Sequence, residues 1–306
     1  MTNPSPENKL RSGYVAIVGA PNVGKSTLLN RILNEKISIT ASKPQTTRNR
    51  IMGILNSPGH QMIFVDTPGI HRARDSFNRM MVDTALSTLS EVDVICFLIE
   101  ASGADREIDR FILENLQKVN TPVLLLINKI DALRDKKELL PVIEKFRGIR
   151  DFHTIIPISA LTGDGVDAVV REIAELLPEG PRYYPEDYIT DQPERFLVAE
   201  LIREKVFHLI HQEIPYAVAV MVDTFTEEAD RNLISIEATI HVERDSQKAI
   251  VIGKNGQMLK EIGKQAREDI ERLLGWRVYL GLFVRVQKNW RKDPRVLTDF
   301  GYPSGN

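Results

Sequence analysis

The stretch Gly19-Ala20-Pro21-Asn22-Val23-Gly24-Lys25-Ser26 decides the fold. It fits the phosphate-binding pattern G-x-x-x-x-G-K-[ST], and its flanks fit as well. Upstream, Tyr14-Val15-Ala16-Ile17-Val18 is an apolar run of strand length; downstream, Thr27-Leu28-Leu29-Asn30-Arg31-Ile32-Leu33 carries apolar residues at helical spacing. Strand, glycine-bounded loop and helix start form the context in which this pattern carries chemistry. The glycines let the backbone curl until successive N–H groups converge on phosphate oxygens, and the helix N-terminus adds partial positive charge. Lys25 is then expected to reach the β- and γ-phosphates, and the Ser26 hydroxyl to ligate Mg²⁺. Gly19, Ala20, Pro21, Asn22, Val23, Gly24 and Thr27 complete the cradle.

Outward from this loop, strand and helix patterns alternate as far as Leu177. Strand-like runs occupy 14–19, 61–66, 93–99, 122–128 and 154–159, with helical patterns such as Ile108-Phe111-Ile112-Leu116 and Val166-Val169-Val170-Ile173-Leu177 between them. That alternation predicts a three-layer α/β domain with a mostly parallel sheet. The run 50–55, the turn-rich Asn56-Ser57-Pro58-Gly59-His60 and the run from Gln61 predict a hairpin, hence one antiparallel edge strand. The proline-dense Leu177-Pro178-Glu179-Gly180-Pro181 ends the last helix. The expected organisation is a tail at 1–12, the α/β domain at 13–178, a linker at 179–193 and a smaller α+β domain at 194–306.

Three further constellations fall where the loop requires them. Asp66-Thr67-Pro68-Gly69 ends a strand: Asp66 is expected to hold Mg²⁺ through water, and the Gly69 N–H to sense the γ-phosphate. Asn128-Lys129-Ile130-Asp131 ends another. A carboxylate at Asp131 accepts both N1–H and N2–H of guanine but faces only acceptors on adenine, which selects GTP over ATP. Asn128 braces the loop and Lys129 lies along the base. Ser159-Ala160 ends the last strand, where a backbone N–H is available for guanine O6. Each tetrapeptide alone is weak; all four in order, each at a strand's C-terminal end, place a ligand where open α/β sheets bind one.

On these residues the stretch 13–178 resembles the translation-factor-like GTPases. By that resemblance Pro44-Gln45-Thr46-Thr47-Arg48 is the first switch, and Thr47, in preference to Thr46, completes the Mg²⁺ shell with Ser26 and Asp66. Many regulatory members have a glutamine after the Asp66–Gly69 segment to orient the attacking water, but this chain has Ile70, which neither donates nor accepts. Intrinsic turnover is therefore expected on the order of 10⁻³ s⁻¹ or less without outside help. Asn22 resembles the asparagine of potassium-activated GTPases, which implies K⁺ beside the phosphates. Lys25, Thr47, Gly69 and Asn22 thus make up the expected catalytic set.

The second domain is expected to open with an amphipathic helix over 196–211, followed by strands at 216–222 and 234–242. The short apolar segment Ala249-Ile250-Val251-Ile252 leads into Gly253-Lys254-Asn255-Gly256, and a helix with Leu259, Ile262, Ala266, Ile270 and Leu273 on one face and a strand at 278–286 come next. From Ser246 onward there are twelve Lys and Arg against six Asp and Glu, while the rest of the chain has 28 against 36. A basic segment on an acidic body points to a polyanion. Helix, two strands, two helices around G-x-x-G and a final strand resemble a KH domain of the second topological type. In that family Gly253, Lys254, Asn255 and Gly256 clamp unpaired nucleotides, and Lys248, Lys260 and Lys264 extend the contact.

The two domains in this order, with Asn289-Trp290-Arg291 near the end, closely resemble the Era family of bacterial ribosome-assembly GTPases. The resemblance implies GTP and GDP as ligands and a role in 30S maturation. It also implies binding near the 3′ end of small-subunit ribosomal RNA and peripheral membrane association; a monomer is expected. Other classes fare worse. The one cysteine, Cys96, lies in the apolar run 94–99 and is expected to be buried, which leaves no thiol nucleophile and points to a reducing cytoplasm. His208 and His211 stand i,i+3 without a further ligand pattern for zinc. A membrane-surface or protein-partnered switch is the remaining alternative; the helix from Phe196 mixes Arg203 and Lys205 with Glu200 and Glu204, unlike a basic membrane-binding helix.

Overall fold

The computed structural model describes residues 10–41, 46–72, 75–103, 107–210 and 214–302. Pro44, Gln45, His211 and most of the expected tail lie outside them. The chain divides into two compact units. The first comprises Met1–Ser38, Thr47–Arg74 and Met81–Asp191; the second comprises Ile39–Thr46, Asp75–Met80 and Gln192–Asn306.

The first unit is built on a six-stranded sheet. Its strands are β1 (Arg11–Gly19), β2 (Ile51–Ser57), β3 (His60–Asp66), β4 (Val94–Glu100), β5 (Val123–Asn128) and β6 (Thr154–Pro157), in the order β2-β3-β1-β4-β5-β6. All neighbours run parallel except β2 and β3, the hairpin whose outer strand is the expected antiparallel edge. Val15, Ala16, Ile17 and Val18 are wholly buried, as both faces of a central parallel strand require. Helices α1 (Lys25–Leu33), α2 (Ser76–Ser87, counted here from Met81), α3 (Glu107–Leu116), α4 (Leu139–Arg147) and α5 (Val166–Leu176) come between or after the strands. Cys96 is buried on β4, and desolvation pushes its thiol up to about 12, so it is no nucleophile.

The stretch after α5 is bound to the first unit. Ser12 N–H donates to Pro178 O at 3.0 Å, Tyr183 N–H to Gln61 Oε1 at 2.7 Å and Ile54 N–H to Ile189 O at 2.8 Å. Its prolines prevent regular structure, yet several of its backbone groups find partners on and beside β1, β2 and β3.

The second unit has a three-stranded sheet, β7 (Ala219–Glu228), β8 (Leu233–Val242) and β9 (Arg277–Val286), with β7 antiparallel and β9 parallel to β8. The helices are α6 (Glu194–Leu209), α7 (Asp245–Ile252), α8 (Gln257–Leu274) and α9 (Pro294–Asp299). Ile234, Ile236, Ala238, Ile240 and Val242 alternate inward along β8 and meet Ile262, Ala266 and Ile270 of α8 in one core. Two local expectations are corrected. The strand expected at 216–222 starts at Ala219 and runs to Glu228, because Ile214–Ala217 form a 3-10 turn around Pro215, which has no N–H for a ladder.

Helix α6 is not amphipathic. Val198, Ile202 and Val206 enter the core, while Glu200, Arg203, Glu204 and Lys205 on its other sides are buried too. Arg203 pairs with Glu200, and Lys205 with Glu204 and Asp269, so these charges persist inside the unit by pairing.

Candidate nucleotide site and nucleic-acid interface

The loop between β1 and α1 needs its glycines for space. A Cβ on Gly19 would lie 2.5 Å from Leu98 O, and one on Gly24 would strike the Asn128 amide; Gly24 also has φ +101°. Gly69 abuts the same loop, for a Cβ there would lie 2.9 Å from Pro21 Cα. Asn22 is exposed at φ +64°. Lys25 is buried and donates from Nζ to Gly19 O at 3.2 Å and Ala20 O at 3.1 Å. Desolvation lowers its ammonium to about 8, partly offset by the charge of Asp66.

Asp66 gathers the hydroxyls. Its Oδ2 accepts from Ser26 Oγ at 2.6 Å, Ser38 Oγ at 2.8 Å and Thr47 Oγ1 at 3.3 Å, and Ser26 and Thr47 hydroxyls stand 2.8 Å apart. Burial pushes the Asp66 carboxyl up, while Lys25 and the three hydroxyls pull it back. The other oxygen, Oδ1, is buried without a hydrogen-bond partner among the described residues. An all-oxygen set of two hydroxyls and one carboxylate with an unused oxygen suits a hard divalent cation, and Mg²⁺ characteristically keeps waters that such an oxygen can accept. The residues present therefore fit Mg²⁺. Ser38 was not foreseen; it is held by Asn30, whose Oδ1 accepts from the Ile37 and Ser38 N–H groups at 3.1 and 3.0 Å.

At the base end, Asn128 bridges two loops. Its Nδ2 donates to Val23 O at 2.6 Å and its Oδ1 accepts from Ala160 N–H at 2.9 Å. That N–H and the Ser159 N–H, which donates to Asp164 O at 2.8 Å, are both engaged inside the protein, where one of them had been expected for guanine O6. Ser159 acts through its side chain: the hydroxyl donates to Asp131 Oδ1 at 2.5 Å and orients an exposed carboxylate. Lys129, at φ +65°, pairs with Glu100 at 3.2 Å. Thr67 Oγ1 donates to Ile17 O at 2.9 Å, and Pro68 is buried. Ile70 is wholly buried in the core, and its N–H donates to Gly19 O at 3.2 Å. Thr27 is half-buried on the first turn of α1.

In the second unit, α7 ends at Gly253 and α8 begins after Gly256. Gly253, Asn255 and Gly256 have φ of +72°, +52° and +74°. A Cβ on Gly253 would lie 2.6 Å from Met258 Cβ, whereas one on Gly256 would meet only open space. Lys254 and Asn255 are exposed. Beside this loop runs a groove of about 840 Å³ lined by Gly256 of the loop, by Lys260, Lys264 and Arg267 of α8 and by Arg277 and Tyr279 of β9. Lys248 is half-buried on α7 and does not line it. Arg267 continues the helical spacing from Lys260 and Lys264, a signal the sequence carried; Arg277 joins them only through the fold.

The sequence matches the family described as 50S ribosome-binding GTPase over residues 14–129 and the KH domain over residues 213–291. Among curated proteins, GTPase Era of Geotalea uraniireducens is 57% identical over 97% of this chain and 99% of its own length, and GTPase Era of Syntrophus aciditrophicus is 54% identical over 95% of both. A solved variant of Aquifex aeolicus Era bound to GDP.AlF4- superposes with a TM-score of 0.93 at 45% identity, covering 96% of this chain and 99% of that one. Era in complex with MgGDPNP and nucleotides 1506–1542 of 16S ribosomal RNA matches with the same score, identity and coverage. With both domains matched and identity above half across nearly the full length, the chain belongs to the Era family of GTPases.

Proposed function

We propose that the protein is a GTP-binding, slowly hydrolysing switch that binds small-subunit ribosomal RNA near its 3′ end and assists 30S assembly. The observation that carries this reading is the pairing, in one chain, of the Lys25–Ser26–Thr47–Asp66 cluster with the Gly253–Gly256 loop and its cationic groove. Support also comes from the Era complex with MgGDPNP and 16S nucleotides. The domain boundaries belong to the same proposal: a GTPase domain over 13–178, a connecting stretch to 193 and an RNA-binding domain beyond.

In this reading Gly19–Thr27 cradles the phosphates, Lys25 leaves the loop carbonyls to meet the β–γ bridge, and Asp131, held by Ser159, reads guanine. Ser26 and Thr47 hold Mg²⁺ directly and Asp66 holds it through water; the ion, when bound, offsets charge on the transferred phosphoryl. Gly69 presents the N–H that senses the γ-phosphate, with Pro68 before it and Thr67 fixing that turn. With Ile70 in the core, no side chain from that position orients water. Hydrolysis then depends on a partner or on K⁺ beside Asn22. RNA lies across Gly253–Gly256 along Lys260 and Lys264, with Lys248 on the preceding helix extending the basic surface. Nucleotide hydrolysis relaxes the segments around Thr47 and Gly69 and releases the RNA. The protein works as a cytoplasmic monomer with a peripheral membrane fraction, which vesicle flotation tests.

Titration of wild type and Gly253→Asp with a 3′-terminal small-subunit rRNA fragment, each with a GTP analogue or GDP, tests the whole. Tight binding with the analogue, weakened by GDP and lost in the variant, is the expected result. Binding indifferent to both, yet steeply salt-dependent, would reduce the second domain to a non-specific basic surface.

A further inference from the structure

We propose that Glu100, at the end of β4, is a positioning residue for the guanine base: it tethers the Lys129 ammonium, so that the lysine stem is laid out beforehand as a floor for the ring. The inference rests on the nucleotide-site reading above, and every residue in it belongs to the first unit. Lys129 Nζ stands 3.2 Å from Glu100 Oε2. Ser102, in the turn after β4, donates from Oγ to Glu100 Oε1 at 3.4 Å.

The sheet fixes where this pair lies. Glu100 and Asn128 are register partners on the parallel neighbours β4 and β5, so both stand at the C-terminal edge, about 4.8 Å apart as adjacent strands are. Lys129 follows Asn128 directly. Asn128 is held on two sides, by Val23 O and by the Ala160 N–H. Lys129 itself has φ +65°, a conformation that persists in a lysine only where the surroundings over-determine it. One end of the stem is therefore anchored by the backbone and the other by Glu100. Between them four methylenes cross the gap from β5 to β4. The same edge carries Gly19 of the phosphate loop on the far side of β4, and Asp131 two positions beyond Lys129.

The Lys129 side chain is 34% exposed and that of Glu100 25%. Ion pairs so open to solvent are screened and contribute little to folding, so stability alone does not call for the tether. Binding does. A free lysine stem samples many rotamers, and fixing it against a ligand opposes association; a stem ordered in advance avoids that loss. Lysine also covers apolar surface with its methylenes while its head stays with a charged partner. Asp131 thus reads the edge of guanine, and Lys129, held flat by Glu100, covers its face.

Competition against fluorescent GDP on the full-length protein tests this with three probes: GDP, a non-hydrolysable GTP analogue and inorganic tripolyphosphate. Glu100→Gln keeps the size of the side chain and removes its charge. It is expected to weaken GDP and the GTP analogue alike by about fivefold, the effect of having to order one long side chain on binding. Tripolyphosphate, which has no base to cover, should change by less than about twofold. In a Lys129→Met background, which keeps an apolar stem without the ammonium, Glu100→Gln should have less than about a 1.5-fold effect, because the tether is already gone. Unchanged GDP affinity in Glu100→Gln, equal weakening of GDP and tripolyphosphate, or an undiminished effect in the Lys129→Met background overturns the tether and leaves Glu100 a scaffold residue. Lys129→Ala is the control for the site. If it leaves GDP affinity as in wild type, or if wild type binds ADP as well as GDP, the nucleotide-site reading itself is wrong.

Discussion

The two candidate sites are built in opposite ways. Around Asp66 and Asn128 nearly every polar group already has a partner within the protein, and the side chains that matter are buried or braced. Around Gly253–Gly256, Lys254, Asn255, Lys260 and Lys264 are exposed, and their side chains make no hydrogen bond or ion pair among the described residues. The first is a preorganised mould for one small ligand, whose affinity comes from ordering done in advance. The second is an open rail for a flexible polymer, where phosphate attraction dominates and backbone shape sets the fit. Single substitutions should therefore act sharply in one place and diffusely in the other.

Lys25→Ala gives the largest effect. Removing the ammonium from a buried phosphate cradle should cost on the order of 3 kcal/mol, about a hundredfold in GTP affinity, by fluorescence titration. RNA binding by nucleotide-free protein should stay as it was; a parallel loss would erase the contrast. Asp131→Asn comes next. Discrimination of GTP over ATP should fall by about tenfold or more, because one carboxylate oxygen pair no longer answers both guanine donors. Competition binding with both nucleotides measures it.

Two glycines sharpen the contrast on the RNA side. Gly253→Ala drives a Cβ against Met258 at positive φ and should lower stability by about 1–3 kcal/mol in urea unfolding. Gly256→Asp has open space, so it should cost about 1 kcal/mol of stability while weakening RNA binding by about tenfold through charge repulsion. Equal behaviour of the two would mean that the loop is only a turn.

A pH series isolates Lys25. Its folded value of about 8 lies below the 10.5 of the unfolded chain, so the unfolded state holds more protons between those pH values. Stability of the nucleotide-free protein should rise as pH climbs through that window. Nucleotide phosphates favour the charged ammonium, so GDP affinity should fall above pH 8, by at most about tenfold per unit. The smallest effect belongs to Lys264→Ala, which should weaken RNA binding a few-fold for any sequence and lower the salt slope by about one.

Legibility in the sequence followed the same divide. The alternation of strands and helices, the edge hairpin and the loop from Gly19 to Ser26 were legible because strand-end motifs and apolar runs are local signals. Helix α6 was not. Glu200, Arg203, Glu204 and Lys205 look solvated in sequence, and only their partners Thr40, Thr46 and Asp269, 64 or more positions away, reveal why they are inside. Ser38 has no motif at all; its role comes from Asn30 folding the chain after α1 back toward Asp66. The assignment of Ile39–Thr46 and Asp75–Met80 to the second unit was equally hidden, since neither segment differs in composition from its flanks. Phe77 shows the reason: its ring meets Trp290 at 5.6 Å and Tyr302 at 5.3 Å, more than two hundred residues later.

Ile70 carries a consequence for how this protein can change over generations. In a GTPase with a polar side chain at this point, one codon tunes the lifetime of the loaded state. Here the position is packed among Ala16, Val18 and Phe97. Drift at this codon is policed by the folding of the domain before it is ever tested against the pace of the cycle. On the proposed reading, retiming the cycle falls to the partners or ions the protein meets, and lineages could alter those while the chain itself stays put.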